Sequence, residues 1–165
     1  HGRRAGFSYT TSDTNALLSS DDINTVAIVT RHNSHADFTI KALNAGKHVF
    51  VEKPLALTLD ELEKVQVAHS VSESHLMVGF NRRFSPLVQT MKMLLSSVSE
   101  PKSFIMVMTA GAIPSDHWTQ DSLVGGGRII GEACHHIDTC MPGTAAAVLE
   151  KLARVETGIP LLAPM

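Results

Sequence analysis

Short apolar runs alternate with stretches of helical spacing along residues 25–95. Thr25-Val-Ala-Ile-Val-Thr30 is a β-branched run without polar alternation, which predicts a strand covered on both faces, as in a parallel sheet. Over Ala36–Ala45 the apolar residues Phe38, Ile40, Ala42 and Leu43 recur at helical spacing, and Gly46 stands where a left-handed C-terminal cap belongs. His48-Val-Phe-Val51 predicts the next strand. It ends at Glu52-Lys53-Pro54, because proline removes a donor and biases Lys53 toward extended backbone. Thr58-Leu-Asp-Glu61 is a capping box that opens a helix to about Ser70, with Leu59, Leu62, Val65 and Val67 expected toward a core. Leu76–Phe80 predicts a third parallel strand, and Ser85-Pro86 an N-cap and first helical residue for a helix through Leu95. The order β, α, β, α, β, α is the pattern of an α/β, doubly wound parallel sheet with right-handed crossovers.

The pattern changes after residue 100. Ser103–Gly111 predicts a longer strand of different character, followed by a polar loop, Gly125-Gly-Gly127 and a helix from about Arg128 to Thr139. Residues 1–100 are therefore read as one domain, 101–140 as the start of a second, α+β domain, and 141–165 as an unassigned tail with an Ala-rich stretch and three prolines.

The 165 residues are 44% hydrophobic and 18% charged, enough apolar content for a packed core and not the composition of a disordered tail. Lys+Arg 14 against Asp+Glu 16, without a basic cluster, argues against a nucleic-acid partner. The apolar stretch Phe104–Ile113 is interrupted by Thr109 and Gly111 and falls short of the ~20 residues of a membrane helix. His1 opens the sequence without an initiating Met or a secretory leader, which predicts an internal piece of a longer chain. Cys134 and Cys140 would point to different faces of one helix, so a reducing, cytoplasmic setting is expected.

Four clusters could carry chemistry. Glu52-Lys53-Pro54 follows a parallel strand, where open α/β sheets bind ligands, and a cation there could polarise a substrate hydroxyl or carbonyl. The bland alternative is a surface lysine paired with Glu52. Thr30-Arg-His-Asn-Ser-His35 is rich in groups that hydrogen-bond a ribose or amide, or is an ordinary βα loop whose Asn or Ser caps the next helix. In Glu132-Ala-Cys-His135-His136-Ile-Asp138-Thr-Cys140, a histidine proton donor or acceptor outweighs a metal site, because the second Glu-x-x-His of a di-iron bundle is missing. Gly125-Gly-Gly-Arg-Ile-Ile-Gly131 fails G-x-G-x-x-G, since Ile130 stands at its last glycine, and reads as a tight interdomain turn.

Taken in order, these pieces resemble the Gfo/Idh/MocA family of nicotinamide-dependent oxidoreductases. The pieces are Thr-x-Asn-x-x-His, Ala-Leu-x-Ala-Gly-Lys-His-Val, Glu-Lys-Pro, Val-Gly-Phe-Asn-Arg-Arg-Phe, Gly-Gly-Gly and His-x-x-Asp, spread from about Ala5 to Thr139. Gly111–Trp118 with Gly-Arg-Ile-Ile-Gly-Glu-Ala-Cys-His-His-Ile-Asp is similar to a subgroup sometimes fused to a zinc-type alcohol dehydrogenase module.

The resemblance implies a partial Rossmann-type sheet and hydride exchange between NAD or NADP and a hydroxyl or carbonyl of a sugar, cyclitol or related molecule. On it, Lys53 orients and polarises the reacting oxygen and His135 is the general acid/base. Thr30, Asn33 and His35 line the nicotinamide side, with Glu52 placing cofactor or lysine, while Asn81, Arg82, Trp118, Glu132 and His136 face the substrate; no metal is implied.

Two departures follow from the same comparison. The acid expected four residues before the histidine is replaced by Gly131, with Glu132 one place later and expected on another face. That favours, as an alternative, a non-catalytic sugar- or nucleotide-sensing module. The family's first strand and glycine-rich phosphate turn have no counterpart here, so weak cofactor binding and an unpaired edge at Thr25–Thr30, open to another copy of the chain, are expected.

Overall fold

The computed structural model describes residues 2–103, 105–109 and 111–140; the Ala-rich stretch read in the tail lies outside them. Three parallel strands, β1 (Thr25–Ile28), β2 (His48–Val51) and β3 (Leu76–Val78), lie side by side in sequence order. The helices are α1 (Thr14–Leu18), α2 (His35–Asn44), α3 (Leu59–Ser70), α4 (Pro86–Leu95) and α5 (Cys134–Cys140).

Local chemistry sets most of these boundaries. α2 stops at Gly46, whose φ of 69° is the left-handed conformation that spares glycine a Cβ clash. α3 begins in a full capping box: Thr58 accepts from the Glu61 amide, and Glu61 Oε2 accepts from the Thr58 amide. Ser85 caps α4, with Pro86 in its first turn.

Register places Val26, Ile28, Val49, Val51, Leu76 and Val78 on one face of the sheet. Against that face pack Ala36, Ala42 and Leu43 of α2 and Val65 and Ala68 of α3, and together they form the core. The opposite face carries Thr25, Ala27 and Met77, all exposed. The expectation of a sheet covered on both faces is therefore corrected for the described residues. Two right-handed crossovers stepping the same way across a sheet must place both helices on one side.

Two further expectations change. α3 buries Val65 and Ala68, with Leu62 packed beside them, and leaves Val67 and Leu59 exposed. Positions three apart share a helical face, whereas Val67 sits two residues from Val65 and so points away. The described residues of the 103–111 stretch join no ladder, and Ile105 and Val107 are exposed. An apolar, β-prone run is a strand only where a neighbouring strand takes its backbone hydrogen bonds, and no described residue does so. No helix among the described residues is long and apolar enough to cross a membrane.

Candidate active site

Ladder bonds hold β2 on both sides to its last residue and beyond. Glu52 N–H donates to Ile28 O at 2.9 Å, and Gly79 N–H donates to Val51 O at 2.8 Å. Pro54 and Leu55, buried, follow at once, so Lys53 leaves the carboxyl edge of the sheet from a fixed backbone. Its Nζ donates to Gly131 O at 2.6 Å and lies 3.4 Å from Glu132 Oε1. An ammonium has three donors, so capacity remains for a further oxygen.

Gly131 and Glu132 reach the lysine through an unusual turn. Residues Ile129–Ala133 wind as a π-helix before α5, a wider turn that brings Glu132 onto Lys53 instead of another face. No side chain fits one place earlier. A Cβ on Gly131 would come within 2.8 Å of Gly125 O and 3.3 Å of His32 Cε1. The glutamate against Lys53 thus removes the ground on which a non-catalytic module was favoured.

α5 presents His135, buried and set edge-on to Phe80 with ring centroids 6.1 Å apart. Its Nδ1 is buried and has no hydrogen-bond partner among the described residues. Burial lowers its pKa below the ordinary histidine value, and the Lys53 and Arg82 cations push the same way. The ring is accordingly a neutral proton acceptor at pH 7. His136, half-buried, is lowered by burial and then by Arg82.

An ion pair buried at its aspartate end docks α5. Arg83, in the short turn Asn81–Phe84 after β3, donates Nε to Asp138 Oδ2 at 2.8 Å and Nη2 to Oδ1. Asp138 is 1% exposed. Asn81 and Arg82, in the same turn, are exposed.

The loop after β1 is braced from within. His35 is fully buried, with Nδ1 2.7 Å from Pro54 O and Nε2 3.0 Å from Thr30 O, so it supports the loop and the lysine turn and presents no group to a ligand. Thr30 and Asn33 are exposed, Thr30 Oγ1 lying 2.6 Å from Ser34 Oγ. Glu52 is half-buried against Gly79, where a Cβ would meet its carboxyl at 3.2 Å. Trp118 stands edge-on to His32 at 4.8 Å, with the Arg31 guanidinium 5.7 Å over its ring.

Gly125 and Gly126 both donate their amides to Asp121 O, at 2.8 and 3.2 Å, and Gly126 and Gly127 have φ of 74° and 70°. This is a tight turn in which the first two glycine amides are already used. The structure thus brings Lys53, Glu132 and His135 together beyond the sheet. Sequence reasoning missed His32, Arg83 and the carbonyl of Gly131. The adjacent Arg82-Arg83 pair with an acid near His135 was the available signal for the second. Burial pushes the Cys134 thiol up to about 11, so it stays protonated, and no cluster of three metal-ligating side chains forms among the described residues.

An open parallel sheet with polar groups gathered past the carboxyl ends of its strands defines an α/β protein with a ligand crevice at that edge. Residues 3–80, just under half of the chain, match and belong to the oxidoreductase family with an NAD-binding Rossmann fold, the Gfo/Idh/MocA family. A levoglucosan dehydrogenase of Pseudarthrobacter phenanthrenivorans is 33% identical over 143 residues, 82% of this chain and 37% of the relative. A scyllo-inositol 2-dehydrogenase (NAD(+)) of Bacillus subtilis is 40% identical over 86 residues, 51% of this chain and 25% of the relative. A solved levoglucosan dehydrogenase in complex with NADH and levoglucosan superposes with a TM-score of 0.71 at 30% identity, covering 84% of this chain and 39% of that one. The chain therefore spans well under half the length of these relatives.

Proposed function

We propose that this chain is the lysine- and histidine-bearing part of an NAD(P)-dependent dehydrogenase acting on a hydroxyl of a sugar, anhydrosugar or cyclitol. The observation that carries it is the Lys53 ammonium held between Gly131 O and Glu132 near the neutral His135. On this reading residues 1–100 belong to the dinucleotide-binding domain and 101–140 to the substrate domain.

The donor set suits the nicotinamide end of the cofactor. Exposed Thr30 and Asn33 and the carboxylate of Glu52 match ribose hydroxyls and a carboxamide, and the orphaned Nδ1 of His135 marks a polar space without a protein partner. When bound, the nicotinamide accepts or returns the hydride. Lys53 holds the substrate oxygen and favours its alkoxide character, and the hydroxyl proton passes to the imidazole of His135. Glu132 and the Gly131 carbonyl aim the ammonium. Asn81, Arg82, Trp118 and His136 then bound the substrate side. Cyclitols and anhydrosugars are favoured because they are the substrates named for the relatives.

The test is reduction of NAD or NADP by a panel of cyclitols, pyranoses and anhydrosugars, with Lys53→Ala alongside. Turnover should fall about 10²- to 10³-fold in the variant while cofactor affinity changes little. Unchanged turnover in Lys53→Ala removes the lysine from the mechanism, and no turnover of any polyol by the parent removes the reading.

A further inference from the structure

His32 is used by nothing in the mechanism above, yet it is buried at the centre of the rim that carries Gly131. Its Nδ1 lies 2.8 Å from Gly125 O. A carbonyl only accepts, so Nδ1 is the protonated nitrogen and the ring is a donor. Next to it, Asn33 N–H donates to Val124 O at 3.2 Å, giving a second stitch between the β1 loop and the glycine turn. One side of the His32 ring meets Trp118, and its Cε1 and Nδ1 lie 3.3 and 3.4 Å from the place a Cβ on Gly131 would take. Gly125 O would be 2.8 Å from that same Cβ. His32, Gly125 and Gly131 therefore form a close stack, and the carbonyl of its last member accepts from Lys53 Nζ at 2.6 Å.

We propose that His32 is a positioning residue for the lysine: by donating Nδ1–H to Gly125 it holds the glycine turn against Gly131 and so fixes the carbonyl that aims the Lys53 ammonium. The inference rests on the dehydrogenase reading for its kinetic consequence, but the clasp itself does not. Burial lowers the pKa of His32, in keeping with a ring that works as a neutral donor. The contact is specific in what it needs. Phenylalanine would fill the space beside Trp118 but leave Gly125 O without a donor, whereas asparagine offers an N–H at the δ position without the ring.

The experiment compares His32→Phe and His32→Asn with the parent by two readouts. Hydrogen exchange over residues 124–131 reads the clasp and requires no turnover; it should quicken in His32→Phe and stay near the parent in His32→Asn. Steady-state kinetics with substrate deuterated at the carbinol carbon reads the lysine. His32→Phe should lose about 10- to 100-fold in kcat with KM for the cofactor little changed and a larger isotope effect on kcat, as a misplaced catalytic group slows hydride transfer. His32→Asn should recover most of that loss. Unchanged exchange over 124–131 in His32→Phe overturns the clasp. Parent-like kcat in His32→Phe, or an equal loss in both variants, overturns the positioning role. Absence of turnover in the parent overturns the dehydrogenase reading and leaves the exchange result as the test of the clasp.

Discussion

Arg83→Met should destabilise the protein more than Asp138→Leu, although both break the same ion pair. The Asp138 side chain is 1% exposed and that of Arg83 22%, so removing the arginine strands a carboxylate away from water. Removing the aspartate leaves a guanidinium that can turn toward solvent. Breaking a buried pair from one side costs about 3–5 kcal/mol, the range expected for Arg83→Met. The exposed share of Arg83 brings Asp138→Leu nearer the roughly 1–3 kcal/mol of one poorly satisfied polar group. The double variant replaces both ends with apolar groups and should recover most of the loss, giving a coupling of about 2 kcal/mol or more. Urea unfolding followed by the fluorescence of Trp118, the single tryptophan of the chain, measures all three. Costs below about 1 kcal/mol in both single variants, as for a surface pair, would refute the argument. So would equal costs, because burial asymmetry would then decide nothing.

Two other outcomes are expected. His32, His135 and His136 all have lowered pKa values, with burial the largest cause in each. Stability from these groups is complete above the unfolded histidine value of about 6.5 and is lost as pH falls through the lower folded values. Melting temperature should drop on acidification below that point, and the acid limb of kcat/KM for oxidation should lie below it; a limb above about 6.5 contradicts the assignment of His135 as a neutral base. Gly131→Ala should cost about 1–3 kcal/mol and lower kcat, because its methyl must displace Gly125 O or the His32 ring. Parent-like stability and kcat in that variant would mean the stack is looser than its geometry.

The sheet was readable because its signals are local. The strand Thr25–Ile28, the capping box at Thr58, the glycine after α2 and the Ser-Pro before α4 each depend on a few neighbouring residues, and each stands where expected. Lys53 was legible for the same reason, at the end of a strand that proline stops. What sequence could not convey was contact across distance. Glu132 looked displaced from Lys53 because ordinary helical spacing was assumed, and a π-helical turn changes the angle per residue. Arg83 was passed over for its exposed neighbour Arg82, since which of two adjacent arginines turns inward depends on where Asp138 lies. The 103–111 run failed for the opposite reason: its local propensity was real, but a strand is a property of a pair.

β2 has a ladder on each flank, whereas β1 and β3 have one apiece among the described residues. A strand enclosed on two sides gives up its amides only when the sheet as a whole comes apart, so the turn bearing Lys53 hangs from the segment that opens last. α5, by contrast, is fastened by an ion pair, the buried Cys134 and the edge of Phe80. Lys53 and His135, the two groups proposed to react, therefore belong to regions of unequal local stability: the lysine is an anchored reference, and the histidine rides on the element that is held by fewer ties.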